Sequence, residues 1–329
     1  MPLNSLLQAF RSKEKPSGAR LRLAVIGAGR MGQFHLKALS KNTKANVVAV
    51  ADISSDRLTP LAQKHKVKPV LNIQDLFGTI DAAIIATPTP THYDLGKTLL
   101  GAGISCLIEK PFTETVEQAE ELITLADKKN CILQIGHIER FNPAVIEAAR
   151  HIQDPQFIEV NRLGPYDPRV AHIGVVMDLM IHDLDIVLFL VSRPVTRVEA
   201  FGAKVLSAHE DIAKVRLHFE GGCIADLSAS RISLKKYRRI RIFQKNAYMS
   251  LDYAAPKLQV YKKKSDIVKN LTDISILSPK LSKKDPLTLE LDDFIRCVQE
   301  GKTALVSGKH GRDALELAQE VLTKLKIHA

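Results

Sequence analysis

The sequence predicts an α/β protein of two domains: a doubly wound, parallel-sheet domain followed by an α+β domain built on a large, mainly antiparallel sheet. Three observations carry this reading. At 329 residues the chain exceeds what a single hydrophobic core holds. Residues 21–150 alternate short, almost wholly apolar runs with amphipathic stretches, the pattern of parallel strands covered by helices on both faces. Beyond His151 the strand-like runs follow one another with one clear helix among them.

Residues 1–20 stand ahead of this pattern as an N-terminal extension. The first domain, 21–150, has expected strands at Leu21–Ile26, Val47–Ala51, Ala82–Ala86, Ile104–Ile108 and Ile132–Ile135. Helical stretches around Phe34–Ser40, Asp56–His65, Tyr93–Leu100 and Val116–Lys128 supply the crossovers. In the second domain, 151–329, the expected helix is Val175–Val191. Its expected strands are Phe157–Arg162, Thr196–Val205, Ala213–Phe219, Cys223–Ser230, Arg238–Phe243, Tyr248–Leu251 and Lys257–Tyr261. Lys262–Pro286, rich in Lys, Ser and Asp, reads as an exposed excursion, and helical periodicity returns in Leu289–Glu300 and His310–Lys326, helices expected to pack back toward the first domain.

Composition removes several classes. With 45% apolar and 25% charged residues, disorder, collagen and coiled coil are poor readings. The longest apolar run, Ile173–Val191, is interrupted by Asp178, His182, Asp183 and Asp185, so no membrane span is expected. The charges Arg11, Lys13 and Lys15 follow the apolar part of the N-terminus rather than precede it, unlike a signal peptide, which points to the cytoplasm. Cys106, Cys131, Cys223 and Cys297 lie far apart with no histidine at zinc-ligand spacing, so they read as reduced structural thiols and no metal is expected.

Three motifs could carry chemistry. Gly27-Ala28-Gly29-Arg30-Met31-Gly32 follows the first strand and opens a helix, where glycines allow a sharp turn, close approach of a pyrophosphate and tight helix packing. Asp52 ends the second strand 20 residues beyond Gly32, where a carboxylate accepts hydrogen bonds from an adenosine ribose. An acid there repels a 2′-phosphate and favours NAD over NADP; Arg30 and Arg57 are the residues that could argue otherwise, Arg57 being expected on the solvent face of the next helix. Glu109-Lys110-Pro111 lies at the carboxyl end of a strand, the side on which open α/β sheets bind ligands, so Lys110 could hold negative charge on a substrate oxygen. Asp178 and His182 stand four apart on the expected helix, where pairing would make the imidazole a better general base.

Together with Ala86-Thr87-Pro88 and Gly136-His137, these motifs in this order resemble the glucose-fructose oxidoreductase / inositol dehydrogenase (Gfo/Idh/MocA) family, from about residue 20 to the end. The resemblance implies a Rossmann domain and NAD-dependent oxidation of a sugar or cyclitol hydroxyl to a ketone. Lys110, Asp178 and His182 would form the active-site set. The cofactor would lie on Gly27, Gly29, Arg30, Met31, Gly32, Asp52, Thr87, Pro88, His92, Glu109 and Lys110.

A finer similarity, to the UDP-N-acetylglucosamine 3-dehydrogenases of surface-polysaccharide or lipid A synthesis, is carried by several stretches. They are Gly136 through Pro143, Gly164-Pro165-Tyr166 with Arg169, Val175 to Asp185, and Ser230-Arg231 through Arg241-Ile242-Phe243. It implies a nucleotide-sugar substrate touched by Arg140, Asn142, Tyr166 and Arg169, with Arg162 a weaker candidate, because a diphosphate suits arginine.

Two alternatives stay open: a dehydrogenase of a free sugar or cyclitol such as myo-inositol, and a non-catalytic NAD-binding sensor or interaction protein. The surplus of 47 Lys and Arg over 36 Asp and Glu, +11, raises the question of nucleic acid. Seven of these bases lie in Arg231–Lys245, yet Arg239 and Arg241 alternate with Ile240 and Ile242, the period of a half-buried strand. A solvated or subunit-facing sheet surface is the better reading, and a homodimer or homotetramer is expected to cover it.

Overall fold

The structure, a computed structural model, describes residues 20–327; the N-terminal extension before Arg20 lies outside the described residues. Contacts divide the described chain into two compact units, 20–138 with 285–315, and 139–284 with 316–327.

The first unit holds a six-stranded, wholly parallel sheet: β1 (Leu21–Ile26), β2 (Ala45–Ala51), β3 (Lys68–Val70), β4 (Ala82–Ile85), β5 (Ser105–Glu109) and β6 (Leu133–Gly136), in the order β3-β2-β1-β4-β5-β6. Strand β3 is absent from the sequence expectation because Lys68-Pro69-Val70 is a three-residue edge strand with one buried side chain, too short for a pattern to show. The central strands are buried on both faces, which is why they read as unbroken apolar runs. Crossovers are made by α1 (Arg30–Leu39), α2 (Ser55–His65), α3 (His92–Gly101) and α4 (Val116–Lys128). Helix α4 starts on a capping box, the Thr115 hydroxyl accepting from the Gln118 N–H while the Gln118 side chain accepts from the Thr115 N–H.

The order of strands reverses at β1, and the segments just past the carboxyl ends of β1, β2, β4, β5 and β6 are Gly27, Asp52, Ala86, Lys110 and His137. Every cofactor motif read from the sequence therefore leaves this sheet at one edge. Leu291, Phe294 and Ile295 of α7 (Pro286–Glu300) share a core with Leu36 and Leu39 of α1 and Leu23 of β1. The sequence reading placed α7 in the second domain while expecting the C-terminal helices to pack back toward the first; its contacts group α7 with the first unit.

The second unit begins earlier than the expected boundary near residue 150. Helix α5 (Pro143–Ala149), which the sequence reading missed, packs on strands of this unit. Its sheet has nine strands: β7 (Pro155–Leu163), β8 (Val195–Ala203), β9 (Ile212–Phe219), β10 (Ile224–Ser230), β11 (Tyr237–Gln244), β12 (Ala247–Asp252), β13 (Lys257–Lys263), β14 (Ile274–Leu277) and β15 (Leu325–Ile327). The order is β14-β13-β12-β11-β7-β10-β9-β8-β15, antiparallel except where β7 meets β10 and β8 meets β15. One face is apolar and buried, with Ile158, Val160, Val215, Leu217, Ile240, Ile242, Met249 and Val260 at 3% exposure or less. Strands β14 and β15 correct the sequence reading: β14 lies inside the supposed excursion, and α8 (Gly308–Lys324) stops at Lys324 so that Leu325–Ile327 can pair with β8.

The expected helix Val175–Val191 is two elements. Val176–Met180 forms a π turn, and the α-helix α6 (Ile181–Val191) follows, ending at Ser192 in the left-handed region.

Candidate functional site

In the first unit the glycine turn is built by steric exclusion. A Cβ on Gly27, whose φ is +107°, would stand 2.5 Å from the Ala86 carbonyl oxygen, and one on Gly32 would stand 1.8 Å from the Gly27 carbonyl oxygen. A Cβ on Gly29 would meet no protein atom within 4 Å. Gly29 is also the N-cap of α1 and caps the helix with no side chain, so the first N–H groups of α1 are left for an anion. Two glycines close the turn and the third leaves room, which fits the pyrophosphate of a dinucleotide. Arg30 is exposed and lies over the Phe34 ring, while Met31 is half-buried.

Asp52 binds the same turn. Its Oδ2 accepts from the Ala28 N–H at 2.7 Å, and its Oδ1 accepts from the Ser54 N–H at 2.8 Å and from Arg57 at 3.1 Å. Burial pushes the carboxyl upward, but these N–H donors and the guanidinium outweigh it and hold Asp52 below the usual carboxylate range. The side chain of Arg57 is 60% exposed, on the solvent side as expected, yet it reaches back to the acid.

Beyond β4, the Thr87 hydroxyl accepts from that of Thr91, and the imidazole of buried His92 bridges the carbonyls of Thr87 (2.9 Å) and Pro111 (3.0 Å). Thr87 and Pro88 are thereby tied to the Glu109-Lys110-Pro111 turn. Glu109 is buried, with Oε1 2.7 Å from Nε2 of His35 on α1. A Cβ on Gly136, its neighbour on β6, would stand 3.0 Å from Glu109 Oε2, so the glycine makes the space that the acid fills. Burial raises Glu109, but His35, Lys110 and His92 reverse the effect and hold it below its ordinary value. Lys110, half-buried, is thus presented from a turn whose preceding residue is an anion locked in the interior.

Sequence reasoning missed Glu290 of α7. It is fully buried, neither carboxyl oxygen has a hydrogen-bond partner, and burial with the nearby charges of Glu109 and Asp293 drives it far above the usual carboxylate range. The amphipathic pattern of α7 has it on the buried face, which was the available signal.

In the second unit, Asp178 lies in the π turn, its N–H donating to the Gly174 carbonyl at 3.1 Å, and His182 lies in the first turn of α6; both are half-buried. The four-residue spacing therefore runs from a wide turn into an α-turn rather than along a uniform helix, and such π turns recur at functional sites. The start of this element is capped by Glu210, whose backbone carbonyl accepts from the Val175 N–H and whose Oε1 accepts from the Val176 N–H. A Cβ on Gly174 would stand 1.9 Å from that oxygen.

Three arginines offered as substrate contacts or weaker candidates sort differently. Arg140 is 2% exposed and pairs twice with Asp185 at 2.7 and 2.8 Å, and Arg162 is 2% exposed between Asp183 and Glu139. Asn142 caps α5 through the Ala144 N–H and donates to the Tyr253 carbonyl. All three side chains are 2% exposed, and the guanidiniums of Arg140 and Arg162 are held by Asp185, Asp183 and Glu139, acids that are themselves buried and must be paired. Tyr166 is half-buried in the irregular segment before the helix. Arg169 lies in the short turn Pro168–Val170, and its side chain is outside what the structure describes. Among the described residues no cluster could hold a metal ion, and no helix is long and apolar enough to cross a membrane.

Comparison with known proteins places both parts of the chain in one family. Residues 21–137 match the model of the oxidoreductase family with an NAD-binding Rossmann fold, and residues 152–250 match the Gfo/Idh/MocA C-terminal domain. The chain is 33% identical to a UDP-N-acetylglucosamine 3-dehydrogenase of Acidithiobacillus ferrooxidans over 92% of its own length and 96% of that protein. The crystal structure of the A. ferrooxidans enzyme superposes with a TM-score of 0.87 at 32% identity, covering 94% of this chain and 98% of that one. An inositol 2-dehydrogenase of Rhizobium meliloti is 27% identical over 91% of this chain and 94% of its own. With a cradle for NAD at the carboxyl edge of its parallel sheet and matches along nearly its whole length, the chain belongs to the Gfo/Idh/MocA family of oxidoreductases.

Proposed function

We propose that this enzyme oxidises the 3-hydroxyl of UDP-N-acetylglucosamine, or of a closely related nucleotide sugar, to a ketone with NAD. The observation that carries the reading is the match at 33% identity along 96% of a UDP-N-acetylglucosamine 3-dehydrogenase, against 26–28% for inositol dehydrogenases of similar coverage. Asp52, held as an anion at the end of β2, supports NAD over NADP. A keto nucleotide sugar suits surface-polysaccharide or lipid A synthesis. We place that work in the cytoplasm, in keeping with four free cysteines.

NAD, when bound, supplies an acceptor for the hydride of the sugar carbon. The N-terminus of α1 and Gly29 hold its pyrophosphate, and Asp52 holds its ribose. His182, oriented by Asp178, takes the proton of the sugar hydroxyl, and the Lys110 ammonium holds the charge that develops on the oxygen. Glu109, anionic and fixed by His35, places a negative charge one residue before Lys110. Tyr166 and Arg169 receive the substrate.

A homo-oligomer belongs to the same reading. Phe157, Phe243, Tyr248 and Tyr261 form a row across β7, β11, β12 and β13, with ring centroids 4.9–5.8 Å apart on the half-covered face of the sheet. A second copy would cover such a surface.

The test is turnover of UDP-N-acetylglucosamine and of myo-inositol, each with NAD and with NADP. Turnover of the nucleotide sugar with NAD is the expected result; turnover of myo-inositol alone would move the enzyme to the cyclitol class. Lys110→Met is expected to keep NAD affinity and abolish turnover, and retained turnover would remove Lys110 from the chemistry.

A further inference from the structure

Arg231 follows the last residue of β10 and is 2% exposed. It was read as part of a basic surface stretch, but its guanidinium is spent inside the unit. Nε donates to Asp211 Oδ1 at 2.7 Å and Nη2 to the Ser207 hydroxyl at 2.7 Å. Nη1 donates to the carbonyls of Val170 at 3.0 Å and Ile173 at 2.6 Å. The guanidinium also lies 5.6 Å from the centre of the Tyr166 ring.

Asp211, completely buried, is anchored in turn. Its Oδ2 accepts from the N–H groups of Val205, Leu206 and Ser207. Burial raises the carboxyl, yet these donors and Arg231 hold it far below the usual range, so it stays an anion. One rigid ion pair thus grips two carbonyls and one ring of the irregular segment 164–174. Within that segment Val170, Ala171 and Ile173 make only short turn bonds, to Asp167, Pro168 and Val170. A planar fork of five donors can span these acceptors at once, and a lysine ammonium cannot.

We propose that Arg231, with Asp211, is a positioning residue that sets the conformation of segment 164–174 for an anionic nucleotide-sugar substrate. This rests on the reading above, in which Tyr166 and Arg169 of that segment receive the substrate. Arg231 touches no reacting atom, so its loss acts on binding.

The experiment uses the full chain with Arg231→Lys and the milder Ser207→Ala, reading steady-state kinetics, NAD affinity and backbone hydrogen exchange. In Arg231→Lys the KM for UDP-N-acetylglucosamine is expected to rise about tenfold with kcat within about twofold. Ser207→Ala should give a smaller rise in KM. Exchange should speed up in 164–174 in both variants, with NAD affinity unchanged. Unchanged exchange in that segment in both variants overturns the proposal, and so does a fall in kcat at constant KM. If the wild-type enzyme does not turn over UDP-N-acetylglucosamine, the proposed substrate fails. The exchange measurement still decides the positioning role.

Discussion

The Nε2 of His35 lies 2.7 Å from Oε1 of Glu109, with both residues buried, inside the cofactor-binding unit and one residue before Lys110. Removing one member of a buried pair leaves the other without compensation. His35→Ala is therefore expected to destabilise the fold by about 1–3 kcal/mol at neutral pH in denaturant unfolding. Glu109 sits below its ordinary value when folded, so the stability it contributes is present above that value and is lost as pH falls through the folded one. The deficit of His35→Ala should shrink in acid. A deficit that is constant with pH would mean that packing, and not the carboxylate, is what His35 serves.

Glu290 has the opposite sign. Its folded value is raised well above that of the unfolded chain, so between the two the folded state binds more protons and stability falls as pH rises. Glu290→Gln keeps the shape and removes the titration. The variant should match the wild type below the ordinary glutamate value and gain on it above, by up to about 1.4 kcal/mol per pH unit until the folded value is reached. Denaturant midpoints at several pH values test this, and a wild type that gains on the variant with rising pH would show an ionised, paired Glu290.

Two glycines of one motif should fail differently. Gly29→Ala places its methyl group where no protein atom lies within 4 Å, so stability should change by less than about 1 kcal/mol while NAD affinity, read by titration, falls at least tenfold. Gly32→Ala drives a methyl group to 1.8 Å from a backbone oxygen, and both stability and NAD affinity should be lost. Equal NAD affinity in Gly29→Ala and the wild type would remove the pyrophosphate from that position.

Much of the cofactor half was legible. The strands of the parallel sheet are apolar runs because both faces are covered, and the glycine motif and Asp52 show as residue types at a fixed spacing, although the contacts that require them, Gly27 against Ala86 and Asp52 with Ala28, are made by the fold. Strand β3 and strands β14 and β15 were not legible, since three or four residues at a sheet edge carry no period. Helix α5 was hidden for a related reason: its seven residues are nearly all buried, so they show no polar face.

The candidate substrate residues divide along the same line. Arginine suits a diphosphate, and sequence reasoning had no means of knowing that Arg140 and Arg162 are consumed by Asp185, Asp183 and Glu139. Asp183 and Asp185 were visible as interruptions of the apolar run 173–191, and two carboxylates in a buried helix require partners. Arg231 shows the converse, a residue assigned to the surface that the fold places in the interior.

What the sequence alone determined was the class of fold, the family, the glycine turn and the acid at the end of β2, because each shows as a periodicity or as residue types at a fixed spacing. What only the tertiary structure decided was which charges are free to act. The pairs Arg231–Asp211 and Arg140–Asp185, and the meeting of Glu290 with Glu109, join residues 20, 45 and 181 positions apart. Whether a charge is buried and paired or open to solvent is set by long-range packing, and the energy of an ionised group depends on that environment more than on its neighbours in the chain.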